Sequence, residues 1–120
     1  MCRVLVVDDE ALIRWSLSEH LSAAGYEVCQ AADGAATLAH FAEGRPPFDL
    51  VLLDLRLPDA SGVALLRHIK RVCPTCRVIL MTAFGDPDTL REARDAGASD
   101  VVAKPFDLER LMDVIGRAPV

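Results

Sequence analysis

The chain predicts a doubly wound α/β sandwich, with five parallel strands in the order 2-1-3-4-5 and helices on both faces of the sheet. Three observations predict it. Short apolar runs alternate with longer amphipathic segments five times, the rhythm of repeated βα units. Three of the runs, at 3–7, 50–53 and 78–81, are apolar with little alternation, as strands buried on both faces are. The other two are less enclosed: 27–31 alternates polar and apolar residues and 101–103 is very short, which puts both at the sheet edges.

The helices follow in turn. Ile13, Leu17, Leu21 and Ala24 fall at i, i+4, i+8 and i+11, one stripe of a first helix that Gly25 stops. Asp33 is placed to cap a second, running to about Glu43 with Leu38 and Phe41 as its larger apolar residues, before the Gly44-Arg45-Pro46-Pro47 break. Ser61 caps a third that carries Val63, Leu65, Leu66 and Ile69 and that Pro74 must terminate. Asp86-Pro87 sets a cap ahead of proline at the first helical position, opening a fourth helix that ends near Gly97. Asp107 caps the last, whose apolar residues are Leu108, Leu111, Met112 and Ile115. No linker or repeat interrupts the pattern, so residues 1–120 are expected to form one domain.

Composition narrows the function classes. With 52% hydrophobic and 26% charged residues the chain has the balance of a globular protein. Its apolar runs fall far short of the ~18 residues a membrane span needs, and the N-terminus is too short and acidic for a signal peptide. A cytoplasmic protein without membrane contact is expected. Thirteen Lys and Arg against 18 Asp and Glu give a net charge of −5, which disfavours direct binding to nucleic acid phosphates.

The most informative residues stand at the carboxyl ends of the strands, where such sheets place their ligands, between strands one and three. The first strand leads into Asp8-Asp9 and the third into Asp54. Carboxylates ~5 Å apart repel by roughly 3 kcal/mol per pair at an effective dielectric near 20, so a cation is implied. An oxygen-only donor set selects a hard ion, and Mg2+ fits best. The fourth strand ends at Thr82-Ala83 and the fifth at Ala103-Lys104-Pro105. A carboxylate beside a divalent ion, a hydroxyl and an ammonium make a site for a transferred phosphoryl group, with Asp54 as nucleophile.

These motifs, Val6-Val7-Asp8-Asp9-Glu10, Leu53-Asp54-Leu55-Arg56-Leu57-Pro58 followed by Gly62, Met81-Thr82-Ala83 and Lys104-Pro105-Phe106, resemble those of the receiver domain of bacterial two-component response regulators. The resemblance implies a flavodoxin-like fold. It also implies that Asp54 accepts phosphate from a sensor histidine kinase, that Asp8, Asp9, Asp54 and the backbone carbonyl of Arg56 hold Mg2+, and that Thr82 and Lys104 engage the phosphoryl group. A cis Lys104-Pro105 peptide is expected on the same ground. So is a signalling surface on the fourth helix, fifth strand and fifth helix, where a homodimer can form, with an output domain outside this chain. The wording Met81-Thr82-Ala83-Phe84-Gly85-Asp86 and Ile13-Arg14-Trp15 is similar to receivers of sigma-54-dependent activators of the nitrogen-regulator type, so a transcriptional regulator is implied. A stand-alone receiver acting by protein contact is the other reading.

One position departs from the family. Receivers usually carry Tyr or Phe three residues before the lysine, and this chain has Val101, so an aromatic rotamer switch cannot operate there. Displacement of Thr82 and the loop after it, with Ala83 and Phe84, is expected to carry the change instead.

Other features read more plainly. Cys73-Pro74-Thr75-Cys76 follows a helix rather than opening one, so nothing stabilises a thiolate, and His20, His40 and His68 make no ligand spacing with it. Trp15 lies nearly opposite the apolar stripe of the first helix; it offers either a contact surface for the kinase or a second subunit, or packing against a neighbouring helix end. Two rivals are disfavoured. An aspartyl-phosphate hydrolase would place an acid two residues past its nucleophile, where Arg56 stands, and a nucleotide or flavin module would want a Gly-rich loop where Asp8-Asp9-Glu10 repels phosphate.

Overall fold

The computed structural model describes residues 2–83 and 86–116. The strands β1 (Arg3–Val7), β2 (Glu27–Ala31), β3 (Leu50–Asp54), β4 (Arg77–Thr82) and β5 (Asp100–Ala103) pair in parallel in the order β2-β1-β3-β4-β5, as predicted. Between them run α1 (Ala11–Ala23), α2 (Gly34–His40), α3 (Gly62–Val72) and α4 (Pro87–Asp95), and α5 (Leu108–Gly116) follows β5.

Strand alternation explains the two cores. Leu5, Val7, Val51, Leu53, Val78 and Leu80 point to one face, where they meet Val63, Leu66 and Ile69 of α3 and Ala93 of α4. Val4, Val6, Leu50, Leu52, Ile79 and Met81 point to the other, against Leu17 and Leu21 of α1 and Leu111, Val114 and Ile115 of α5. Each fully buried Leu or Val is worth about 1.5–3 kcal/mol. β1, β3 and β4 are therefore apolar on both sides, while β2 and β5 stay partly exposed at the edges.

The predicted caps form. Asp33 accepts from the Ala36 N–H, Ser61 from Ala64, Asp86 from Asp88 and Asp107 from Glu109. α2 is shorter than the sequence suggests, ending at His40 rather than near Glu43. Phe41 and Ala42 bond back to Leu38 and Ala39, which tightens the last turn, and Phe41 swings onto Phe48. Leu38 is 42% exposed. At the far end of α3, the Lys70 ammonium donates to the carbonyls of Pro74 and Cys76 and secures the turn that Pro74 starts. No helix among the described residues is long and apolar enough to cross a membrane.

Candidate functional site

The register places the predicted residues. Val7 pairs with Leu53, Asp54 with Met81 and Thr82 with Ala103, so Asp8, Asp54, Thr82 and Lys104 arrive at one edge of four adjacent strands. Asp8 is fully buried, Asp54 and Thr82 nearly so, and Asp9 is exposed. The Lys104 N–H donates to the Thr82 carbonyl at 2.8 Å, and the Lys104–Pro105 peptide is cis, as the resemblance implies.

The Lys104 ammonium reaches across the site to Asp8 Oδ2 at 2.7 Å and Asp54 Oδ2 at 3.2 Å. The remaining oxygens are also held: Asp8 Oδ1 accepts from the Glu10 N–H at 2.9 Å and Asp54 Oδ1 from the Arg56 N–H at 3.0 Å. Burial pushes the Asp54 carboxyl above its ordinary value, opposed by the Arg56 N–H, while the Asp8 charge adds to the rise. Burial also works against the Lys104 charge, yet the hydrogen bond and charge of Asp8, with Asp54 behind them, hold the ammonium above its usual range. The two directions are compatible because one ammonium serves two carboxylates and sits closer to Asp8. Asp54 is the less compensated of the pair.

The β3–α3 loop is shaped around this site. Gly62 donates to the Leu55 carbonyl at 3.0 Å, and a Cβ on Gly62 would stand 2.6 Å from the Leu55 Cα, so only glycine permits the approach. Arg56 bridges to Ser61 across the loop, with its side chain exposed. Asp59, which the sequence analysis did not single out, accepts from the Gly34 and Ala35 N–H groups at 2.7 and 3.1 Å and so docks the loop on the start of α2. Those bonds, the Gly34 one first, hold the Asp59 carboxyl below its ordinary value.

The acidic set differs slightly from expectation. Carboxylate oxygens of Asp8, Asp9 and Glu10 lie within 4.8 Å of one another, so Glu10 joins the rim, while Asp54 faces Asp8 through Lys104. Arg14 was not foreseen as a site residue; its Nη1 donates to the Asp8 carbonyl at 2.6 Å. Val101 is half-buried against the α3 side of the core, and Ala83 and Pro105 line a shallow cavity with Glu10, Ile13, Lys104 and Phe106. Phe84 lies outside the described residues. Trp15 is 60% exposed on α1. Cys73 and Cys76 are free thiols, and burial pushes the Cys76 thiol up to about 12, the opposite of a reactive thiolate.

Against known families, the response regulator receiver domain matches residues 4–116. The chain belongs to this family. This receiver is 39% identical to the sporulation initiation phosphotransferase F of Bacillus subtilis over 113 residues, covering 94% of the chain and 90% of that relative. It is 40% identical to the DNA-binding transcriptional regulator NtrC of Escherichia coli over 115 residues, which is 96% of the receiver and 24% of NtrC. The receiver thus spans about a quarter of that relative's length. Among solved structures, the response regulator TrrA of Thermotoga maritima, in complex with Mg2+ and BeF, superimposes with a TM-score of 0.82 at 35% identity, over 96% of each chain. A receiver is a regulatory domain of two-component response regulators.

Proposed function

We propose that Asp54 is the phosphoacceptor of this receiver and takes its phosphoryl group from a phosphohistidine on a sensor histidine kinase. One observation carries the reading: a nearly buried carboxylate at the end of β3, under-compensated in charge, lies within 3.2 Å of a lysine that also holds a second buried carboxylate. An Asp54 carboxylate oxygen attacks phosphorus, the phosphorus–nitrogen bond breaks, and the imidazole leaves with the electron pair. The Lys104 ammonium is placed to turn from the carboxylates to the incoming phosphoryl oxygens, and Thr82, at the neighbouring strand end, to donate to them.

The donor set fits Mg2+: Asp8, Asp9 and Asp54 offer oxygens only, Asp8 and Asp54 share a single ammonium, and the Arg56 carbonyl sits two residues beyond the nucleophile. Bound there, Mg2+ would offset the charge developing on the phosphoryl oxygens. TrrA, with Mg2+ and BeF, is the similar protein that supports this assignment. The signal then runs from Thr82 through Ala83, Phe84 and the Lys104–Pro105 corner to the face formed by α4, β5 and α5, with Val101 packed beneath it rather than an aromatic ring. That face is the site of homodimer formation, and the output, read from the likeness to NtrC, is transcriptional through a domain outside residues 1–120. We place the exchange in the cytoplasm.

Incubation with a small acyl or amido phosphate and Mg2+ is expected to add one phosphoryl mass, mapped to Asp54 and lost in Asp54→Asn. Labelling that persists in Asp54→Asn refutes the assignment.

A further inference from the structure

Asp8 is pinned at every polar atom. Its N–H donates to the Ala31 carbonyl, its Oδ1 accepts from Glu10, its Oδ2 from Lys104, and its carbonyl from Arg14 Nη1 at 2.6 Å. The first three partners are backbone groups or members of the site. Arg14 is neither: it is the fourth residue of α1 and closes its first turn, its N–H bonded to the Glu10 carbonyl, and its guanidinium folds back over the β1–α1 turn.

The Asp8 carbonyl belongs to the peptide plane that joins Asp8 to Asp9. Holding that carbonyl fixes the plane and with it the direction in which Asp9 leaves β1. Asp9 is exposed, no hydrogen bond to its side chain is seen among the described residues, and its carboxylate stands within 4.8 Å of those of Asp8 and Glu10. We propose that Arg14 is a positioning residue of the metal site, aligning the Asp8 and Asp9 carboxylates for Mg2+ through a backbone carbonyl that it alone among the described side chains engages. The inference rests on the metal reading above.

Charge and geometry make opposite predictions here. A cation beside three carboxylates weakens Mg2+ binding by repulsion, so deleting it should tighten binding if charge were its whole effect. A group that orients ligands weakens binding when lost, by about tenfold or more where such partners have been removed.

The test is calorimetric titration of the unphosphorylated chain with Mg2+ alone, with thermal unfolding run on the same samples. Arg14→Met, which keeps the apolar stem and removes donor and charge, is expected to raise the Mg2+ dissociation constant about tenfold. Arg14→Gln carries the same expectation and serves if the methionine variant does not fold. Arg14→Lys, which keeps a charged donor on a long stem, is expected to recover most of the affinity. A purely structural role would lower the melting temperature and leave the dissociation constant alone. Binding in Arg14→Met or Arg14→Gln as tight as in the unaltered chain, or tighter, overturns the proposal while leaving the metal site standing. Absence of Mg2+ binding by the unaltered chain overturns both.

Discussion

Replacing Lys104 with Met tests how the site is held together before any ion arrives. The lysine side chain is 12% exposed and its partners Asp8 and Asp54 are 0% and 8% exposed, so solvent does little to screen them. Removing one member of a buried ion pair costs about 3–5 kcal/mol. The size is reasonable, because two carboxylates about 5 Å apart at an effective dielectric near 20 repel by roughly 3 kcal/mol once the shared ammonium has gone. The raised lysine value means its contribution is complete below the ordinary lysine range and is lost only as pH rises through the elevated one. Urea unfolding at pH 7 therefore measures all of it, and a loss of about 3–5 kcal/mol is expected without Mg2+. A divalent cation supplies the missing charge, so Mg2+ at a hundred times its dissociation constant should return about 2.7 kcal/mol. Its affinity should also rise, since no ammonium competes for Asp8. A loss under about 1 kcal/mol, or one that Mg2+ leaves unchanged, would refute the view that Lys104 is the internal counter-ion of the pair.

Four further outcomes follow from the geometry. Gly62→Ala forces a methyl to 2.6 Å from the Leu55 backbone and should cost about 1–3 kcal/mol in urea, with slower labelling of Asp54; wild-type stability would show that the loop yields freely. Asp59→Ala should lower the melting temperature at pH 7. Because that carboxyl is held below its ordinary value, its contribution is present above the usual carboxyl range and disappears as pH falls through the depressed value, where the two melting curves should merge. Ser18 Oγ is buried with no hydrogen-bond partner among the described residues, so Ser18→Ala is expected to be neutral or to stabilise by up to about 1 kcal/mol, and a clear loss in denaturant titration would show a partner. With its thiol pushed up to about 12, Cys76 should resist iodoacetamide at pH 8 in the folded chain and react only on unfolding, as peptide mass mapping would show.

Much of the architecture was legible because the signals were local. Continuous apolar runs marked β1, β3 and β4, caps marked the starts of α2 to α5, and the strand order followed from which runs were less enclosed. The same logic brought Asp8, Asp54, Thr82 and Lys104 together, since parallel strands put all their carboxyl ends on one edge. What escaped depends on contacts between residues remote in sequence or on side-chain direction. Asp59 went unremarked because nothing near it in sequence reveals that it caps α2, 25 residues away from Gly34. Arg14 stood in a helical run whose neighbours gave no sign that its guanidinium would fold back onto Asp8. The end of α2 was overestimated because Phe41 leaves the helix to pack on Phe48, a contact between residues of separate elements. Trp15 was placed away from the core by its angle on the helix wheel, and it is exposed.

The longest-range contact in the site joins residues 96 positions apart, Asp8 near the start of the chain and Lys104 near its end. At about 5–20 residues per second, a ribosome finishes the lysine on the order of 5 to 20 s after the aspartate. Throughout that interval the Asp8 and Asp54 carboxylates lack the ammonium that they share in the finished fold. If Asp54 is the phosphoacceptor, a chain cut before Lys104 is expected to take up no label from a phosphodonor, and only a fold that includes the lysine to answer one.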